Sequence, residues 1–225
     1  MTGNMLTTFM SDEAAQALTQ LETLIASQQP ATKPWTPVTD YSFEARKQIE
    51  GPHPQLILEI FHPRTVCDVG CGQGHLLRLL KEHALNAYCP QWVCGFDLHP
   101  PERKGDYEIW LGDVSGATNE TSTYDLVLCR EVLEHLTLRQ LRQAVGNLCK
   151  LSDQYVYVTT RFAKAPAHFL SVDTADDLDP THITMMTQPF LRLLFVLEGF
   201  KRRADLETLL DWQHQGRVLV YERAT

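Results

Sequence analysis

The chain has 225 residues, of which 44% are hydrophobic and 21% are charged, a usual globular composition at a length close to that of one large α/β domain. Its 28 Asp and Glu residues outnumber its 20 Lys and Arg residues, which gives a net charge of −8. This charge argues against a nucleic-acid partner bound through its phosphate backbone. No apolar run is long enough to cross a bilayer, and residues 1–10 lack the basic start and apolar stretch of a signal peptide. We therefore expect a cytoplasmic protein with no membrane partner, whose six cysteines are free thiols.

The first 63 residues form a predicted helical appendage. Ser11 is suited to cap a helix, and Leu18 and Leu21 begin an apolar stripe at helical spacing. Prolines between residues 30 and 37 then indicate a linker, and residues 43–50 and 55–61 are typical of two short helices. The sequence therefore predicts an N-terminal helical extension over residues 1–63 and a second domain over residues 64–225.

From residue 64 onward, predicted strands alternate with helices. The β-rich runs are 65–69, 92–96, 107–111, 126–129 and 155–159. This alternation is typical of a parallel sheet with helices on both faces. A further helix, capped by Thr187 and ended by Gly199, precedes two more candidate strands at 201–206 and 218–222. We expect the last two strands to be antiparallel, because no helix of crossover length joins them.

Glycines and acidic residues follow three of these strands. Residues 70–74 have the sequence Gly-Cys-Gly-Gln-Gly directly before a helix, so backbone N–H groups can approach a ligand there. Asp97 ends the second strand, where a carboxylate can accept both hydroxyls of a ribose. Asp113 closes the third strand, where it can accept from an adenine amino group, although either aspartate alone can also cap a loop. The three strand ends predict a pocket shaped for a nucleoside.

Together with residues 125–136, these motifs resemble the class I S-adenosylmethionine-dependent methyltransferases over residues 64–223. The resemblance implies an α/β fold with a Rossmann-like, mostly parallel seven-stranded sheet, its last strand antiparallel, and S-adenosylmethionine as cofactor. It implies that Asp68 approaches the cofactor amino group, that Gly70 and Gly72 border the methionine moiety, and that other residues contact the ribose, the adenine and the sulfonium. The implied cofactor-binding residues are Asp68, Gly70, Cys71, Gly72, Asp97, Leu98, Asp113, Val114, Cys129 and Arg130. Tyr41 and Arg46 are candidates for the cofactor carboxylate, since relatives often use a residue from an N-terminal helix.

The segment 129–136, Cys-Arg-Glu-Val-Leu-Glu-His-Leu, is a candidate metal site. If it begins a helix, Glu131, Glu134 and His135 share one face at the carboxyl edge of the sheet, where they can hold a divalent metal such as Mg²⁺. Similar strings occur in ubiquinone-pathway O-methyltransferases and in small-RNA 3′-end methyltransferases, where these residues can hold an ion. Relatives without a metal share the string, and acidic residues are favoured at a helix start in any case, so both interpretations stay open.

The long stretch 161–186 is a predicted lid or substrate wall. His182 in it is a candidate general base or further metal ligand, and Glu131 is the second catalytic candidate. The alternative for His182 is a ring that hydrogen-bonds neighbouring backbone in a turn. His168 in the same stretch is a weaker candidate of the same kind.

A sulfonium methyl group is already activated, so the protein has mainly to align the acceptor atom and exclude water. We expect O-methylation of a small-molecule acceptor, whose identity the sequence does not give. Three alternatives remain: a 3′-terminal RNA 2′-O-methyltransferase, a nicotinamide oxidoreductase and a catalytically silent cofactor-binding partner subunit. The RNA enzyme would need a basic channel, but Lys201, Arg202 and Arg203 are the only compact basic cluster. The oxidoreductase would not explain Asp113.

Overall fold

Seven strands form one sheet in this computed structural model, which describes residues 42–84, 90–100, 107–116, 122–163 and 181–224. The strands are β1 (Thr65–Val69), β2 (Trp92–Asp97), β3 (Glu108–Leu111), β4 (Tyr124–Arg130), β5 (Ser152–Thr159), β6 (Phe200–Arg202) and β7 (Val218–Arg223). The helices are α1 (Phe43–Glu50), α2 (His53–Phe61), α3 (His75–Ala84), α4 (Leu138–Leu151), α5 (Gln188–Leu197) and α6 (Ala204–Leu210), with a 3₁₀ turn at Leu133–His135.

The strand order is β3-β2-β1-β4-β5-β7-β6. Strands β1 to β5 pair in parallel, whereas β7 is antiparallel to both β5 and β6. The order reverses between β1 and β4, and in open α/β sheets ligands bind beyond the carboxyl ends of the strands at such a point. The predicted mostly parallel, Rossmann-like sheet with an antiparallel last strand is confirmed.

Helices cover both faces of the sheet, because successive residues of a buried strand point to opposite sides. Val66 of β1 packs in one core with α2, α3 and α6, through residues such as Ile57 and Leu77. Cys67, the next residue, packs in a second core with α4 and α5, through residues such as Leu141 and Leu194. Helix α2 therefore packs on the sheet face, α1 lies against α3, and the expected domain boundary at residue 64 stays a prediction.

The expected strand over residues 201–206 is wrong beyond Arg202, where the chain turns into α6. Acidic residues in the first turn, Asp205 and Glu207, favour the start of a helix. Glu207 also accepts hydrogen bonds from the Arg202 guanidinium at 2.8 and 2.7 Å and from Val220 N at 3.2 Å, so its buried carboxylate is satisfied at the sheet. The helix is only 7 residues long, and β6 and β7 are antiparallel as expected.

Apart from the helix considered at residues 129–136, the other strands and helices predicted within the described ranges agree with the structure except at their ends. The expected helix at 55–61 begins two residues earlier, and β4 and β5 are longer than predicted. The five described cysteines are free thiols; Cys89 and the predicted helix after Ser11 lie outside the described residues. Among the helices of the described ranges, none has the length and apolar character needed to cross a membrane.

Candidate active site

A glycine turn joins β1 to α3 at the carboxyl edge of the sheet. Gly70 and Gly72 have positive φ values of 76° and 53°, a backbone conformation that other residues rarely adopt. A Cβ on Gly70 would clash with Cγ2 of Val132, whereas a Cβ on Gly72 would meet no described atom within 4 Å. Gly70 is therefore needed for close packing against the segment after β4, and Gly72 borders open space.

Asp97 at the end of β2 holds this turn in place. Its buried carboxylate accepts from Gly72 N at 2.7 Å through Oδ2 and from His99 N at 2.8 Å through Oδ1. A carboxylate has about four acceptor positions, so these bonds leave room for ribose hydroxyls. Leu98, the next residue, is half exposed at the same edge and offers an apolar surface there.

Asp113 is exposed and makes a local turn. Its Oδ1 accepts from Ser115 N at 2.8 Å and from Ser115 Oγ at 2.7 Å, which is the loop-capping role that the sequence left open. The side chain of Asn147 fixes the same loop, because its Nδ2 donates to the carbonyl oxygens of Val114 at 2.7 Å and Gly116 at 2.8 Å. Sequence reasoning missed Asn147, although a buried asparagine in the apolar face of α4 was a usable signal.

Glu50 at the end of α1 is the centre of a buried charged network that sequence reasoning also missed. Its side chain is only 2% exposed, and its Oε1 accepts from Arg46 Nε and Arg130 Nη2, both at 2.9 Å. Its Oε2 lies 3.2 Å from Nδ1 of His53, whose Nε2 lies 2.7 Å from the Tyr157 hydroxyl. Glu50 thus binds both arginines and connects them to the core.

Burial and charge give these groups unusual acidities. Burial alone would raise the pKa of Glu50, but the charge of Arg130 and the hydrogen bonds from His53 and Arg130 hold that pKa well below its usual range. The Glu50 carboxylate is therefore ionised. Burial raises the pKa of Asp68 to about 7, although the charge of Arg130 opposes the shift. A cofactor ammonium group beside Asp68 would favour the ionised carboxylate.

The expected helical face of Glu131, Glu134 and His135 is wrong. β4 continues to Arg130, Glu131 has a φ of 53°, and α4 begins only at Leu138. The reason lies in Thr137, whose side chain forms a reciprocal capping box with Gln140 and so starts the helix later. The Glu131 side chain is 39% exposed, and its Oε2 lies 3.8 Å from Arg161 Nε and 3.9 Å from Arg217 Nη1.

Glu134 instead forms a cluster with His135 and His182, in which Glu134 and His182 are buried and His135 is partly buried. One ligand atom from each of the three lies within 4.8 Å of the others. Glu134 is fully buried: its Oε2 accepts from Thr160 Oγ1 at 2.8 Å, but its Oε1 has no hydrogen-bond partner among the residues that the structure describes. Nδ1 of His135 lies 3.1 Å from the Thr181 carbonyl oxygen, which orients the ring. Burial, with the nearby Glu131 charge, raises the pKa of Glu134 to about 8.

The remaining predicted site residues lie in the core, in the Glu50 network or outside the described residues. Cys129 is fully buried in the core, where burial raises the pKa of its thiol, so only its backbone reaches the carboxyl edge. Cys71 is partly buried and lies against Gly95. Arg46 pairs with Glu50. Tyr41, His168 and most of the predicted lid lie outside the described residues.

The basic cluster at residues 201–203 is neutralised. Lys201 Nζ lies 3.1 Å from Glu222 Oε2, and Arg202 and Arg203 are paired with the carboxylates of neighbouring acidic residues. Each of these three basic side chains is thus paired with an acidic one, so the cluster does not form an unpaired basic surface.

Residues 43–204, more than half of the chain, match the sequence profile of a methyltransferase domain. No match is found among curated proteins. A solved structure with the same fold is that of magnesium protoporphyrin IX methyltransferase from Synechocystis PCC 6803 with bound SAH. The sequences are 16% identical, the match covers 92% of this chain and 95% of that chain, and the TM-score is 0.54.

Two further structures share the fold. One is CalS10, an amino pentose methyltransferase from Micromonospora echinaspora with bound SAM, at 16% identity over 85% of this chain and 100% of that chain, with a TM-score of 0.57. The other is an O-methyltransferase family protein from Burkholderia thailandensis, at 15% identity over 81% of this chain and 58% of that chain, with a TM-score of 0.56. With the profile match, these findings establish that the chain belongs to the class I S-adenosylmethionine-dependent methyltransferases.

Proposed function

We propose that the protein transfers the methyl group of S-adenosylmethionine to a hydroxyl oxygen of a small-molecule acceptor. The observation that carries this proposal is the cluster of Glu134, His135 and His182 at the end of β4, since a hydroxyl acceptor gains from a nearby group that takes its proton. An amine acceptor, which can lose its proton after transfer, needs such a group less.

In the proposed reaction the acceptor oxygen attacks the methyl carbon as the methyl–sulfur bond breaks, and S-adenosylhomocysteine leaves as a neutral thioether. A ring nitrogen of His182 takes the hydroxyl proton. Glu134 is a positioning residue, because one of its carboxylate oxygens lies within 4.8 Å of a ring nitrogen of His182, close enough to stabilise the resulting imidazolium. The bond between Glu134 Oε2 and Thr160 Oγ1 restricts the rotation of that carboxyl group.

Two observations favour a small molecule over the 3′ end of an RNA. The net charge is −8, and the compact basic cluster at residues 201–203 is paired with acidic side chains. An RNA enzyme needs unpaired basic residues along the path of the phosphates. The similar solved structures named above, by contrast, include enzymes that methylate a magnesium porphyrin and an amino pentose.

A metal-assisted version of the same reaction is the second candidate, and Oε1 of Glu134, which has no partner in the part of the chain that the structure describes, favours it. Glu134, His135 and His182 would hold the ion, while Glu131 is not a member of this group. One carboxylate and two imidazoles suit Zn²⁺, Mn²⁺ or Fe²⁺ better than the expected Mg²⁺, which prefers oxygen ligands. Such an ion would lower the pKa of the acceptor hydroxyl.

The test is a release assay for S-adenosylhomocysteine over matched phenol, alcohol and amine acceptors, with the His182→Asn variant. We expect hydroxyl acceptors to be preferred, and His182→Asn to lower turnover about 10²- to 10⁴-fold without changing affinity for S-adenosylhomocysteine. His62→Asn, at the exposed end of α2, is the matched control and should keep full turnover. A preference for amines, or unchanged turnover in His182→Asn, would overturn the proposal.

Elemental analysis separates the two versions. The metal-assisted version predicts a bound transition metal that Glu134→Gln removes, and turnover that a chelator abolishes and the metal restores. Turnover that is indifferent to chelators rejects the metal and leaves His182 as the proton acceptor.

A further inference from the structure

We infer that Arg161 and Arg217 form a recognition site for an oxyanion, a carboxylate or a phosphate, carried by the methyl acceptor. The inference rests on the proposed function, since it names the chemical class of the acceptor for that same site. It adds a specificity element that the methyltransferase fold does not itself require.

Strand pairing brings the two arginines to the same edge of the sheet. β5 ends at Thr159 and β7 begins at Val218, and these two residues pair in the antiparallel ladder. Arg161 follows the end of β5, and Arg217 directly precedes β7, so both lie at the carboxyl edge that carries the candidate active site. Glu131 joins them there, because its N–H donates to the Thr159 carbonyl oxygen at 2.9 Å.

The proposed anion site lies next to the cluster of Glu134, His135 and His182. Thr160, the residue before Arg161, donates its hydroxyl hydrogen to Glu134 Oε2 at 2.8 Å, so Arg161 directly follows a residue that contacts this cluster. An acceptor bound through an anionic group at Arg161 would therefore have its hydroxyl within reach of the Glu134 and His182 region.

Within the described ranges, the hydrogen-bonding capacity of the two guanidinium groups is largely unused. Both contact the same oxygen, Glu131 Oε2, at 3.8 and 3.9 Å, which is too long for a hydrogen bond. Arg161 Nε is inaccessible to water and has no partner among the described residues. Arg202 shows the contrast, since its guanidinium donates to both oxygens of Glu207.

Charge and access both suit an incoming oxyanion. Two guanidinium groups face one carboxylate, which leaves a local charge of +1, and a planar oxyanion can accept paired N–H bonds from each of them. The side chains are 40% exposed at Arg161 and 29% at Arg217, so an acceptor reaches them from solvent. In this arrangement Glu131 competes with the acceptor anion, because it occupies the space between the two cations.

The test measures binding without turnover. We would follow the ¹⁵Nε–H resonances of arginine while titrating inorganic phosphate or benzoate into the full-length protein saturated with S-adenosylhomocysteine. We expect saturable shifts at Arg161 and Arg217, and a loss of affinity of about tenfold or more in Arg161→Gln and in Arg217→Gln. The probe that binds more tightly identifies the anion class.

The decisive variant is Glu131→Gln, because it should strengthen anion binding where the arginine variants weaken it. Glu131→Gln removes the competing carboxylate and should tighten phosphate or benzoate binding severalfold, whereas a general loss of folding would weaken it. Arg64→Gln, whose guanidinium pairs with Asp125 near the start of β4, is the control and should bind as the native protein does. Weaker binding in Glu131→Gln, or no shift at either arginine, overturns the inference. Because no turnover is measured, that failure is distinct from failure of hydroxyl methylation, which the release assay reports.

Discussion

Replacement of Asp97 by asparagine tests whether the carboxyl-edge crevice binds the cofactor. The Asp97 carboxylate accepts from Gly72 N at 2.7 Å and from His99 N at 2.8 Å. An asparagine side chain has only one acceptor oxygen, so its amide nitrogen would face one of these two backbone N–H groups. The same change removes the negative charge that we expect to accept the ribose hydroxyls.

The expected loss follows from these bonds. Hydrogen bonds to an ionised group contribute about 1.5–3 kcal/mol each, and the substitution removes one acceptor for the ribose outright. Asp97→Asn should therefore weaken S-adenosylhomocysteine binding by about 10- to 150-fold. Titration calorimetry with S-adenosylhomocysteine measures this change directly, and chemical denaturation reports the accompanying loss of stability.

The matched control is Asp125→Asn. Asp125 also accepts a backbone N–H bond, from Arg64 at 2.7 Å, but it lies near the start of β4, at the opposite edge of the sheet. We expect this variant to lose stability and to keep its affinity. Unchanged affinity in Asp97→Asn, or equal losses in the two variants, would refute the assignment of the crevice to the cofactor.

Three further predictions concern residues around the crevice. Gly70→Ala should lower the free energy of unfolding in urea by about 2–4 kcal/mol, because the new side chain adopts a positive φ and clashes with Val132. The second substitution Val132→Ala should relieve the clash. Gly72→Ala, with a positive φ but no clash, should lower that free energy by only about 1–2 kcal/mol. Glu50→Gln should weaken S-adenosylmethionine more than S-adenosylhomocysteine in calorimetry, because only the former carries a sulfonium that an uncompensated Arg130 would repel; equal losses would contradict this role. Since the pKa of Asp68 is raised to about 7, the ligand-free protein should lose stability as pH rises from about 4 to about 7. Over the same range S-adenosylhomocysteine affinity should rise with pH, by at most tenfold per unit, and Asp68→Asn should abolish that dependence.

The sequence predicts the sheet well because its strands are short, β-rich and separated by glycine, proline and polar residues. It does not predict α6, because the run at 201–206 fits a strand as well as a helix when only local spacing is considered. The helix is favoured by Glu207, because its carboxylate pairs with Arg202 and accepts a hydrogen bond from Val220 N in the neighbouring strand. Sequence spacing contains no information on such contacts between elements.

The candidate site, like the fold, can be predicted from the sequence only in part. Asp97 and the glycine turn were predicted because each follows a strand, and they are in contact in the structure. Glu50 was missed because its partner Arg130 is 80 residues away along the chain. The helical spacing of Glu131 and Glu134 was misleading, since a capping box delays α4 and leaves one residue at the surface and the other in the core.

The charge distribution at the carboxyl edge suits a reaction whose cofactor enters as a cation and leaves as a neutral thioether. The sulfonium is expected near Arg130, and a guanidinium there would repel it without the Glu50 carboxylate, which lies 2.9 Å away and is held ionised. Burial raises the pKa of Asp68 to about 7 and that of Glu134 to about 8, so near neutral pH neither is a permanent negative charge. In the proposed reaction each would become an anion beside a cation, Asp68 beside the cofactor ammonium and Glu134 beside an imidazolium at His182. The site can therefore bind charge at each step without being strongly charged in the free protein.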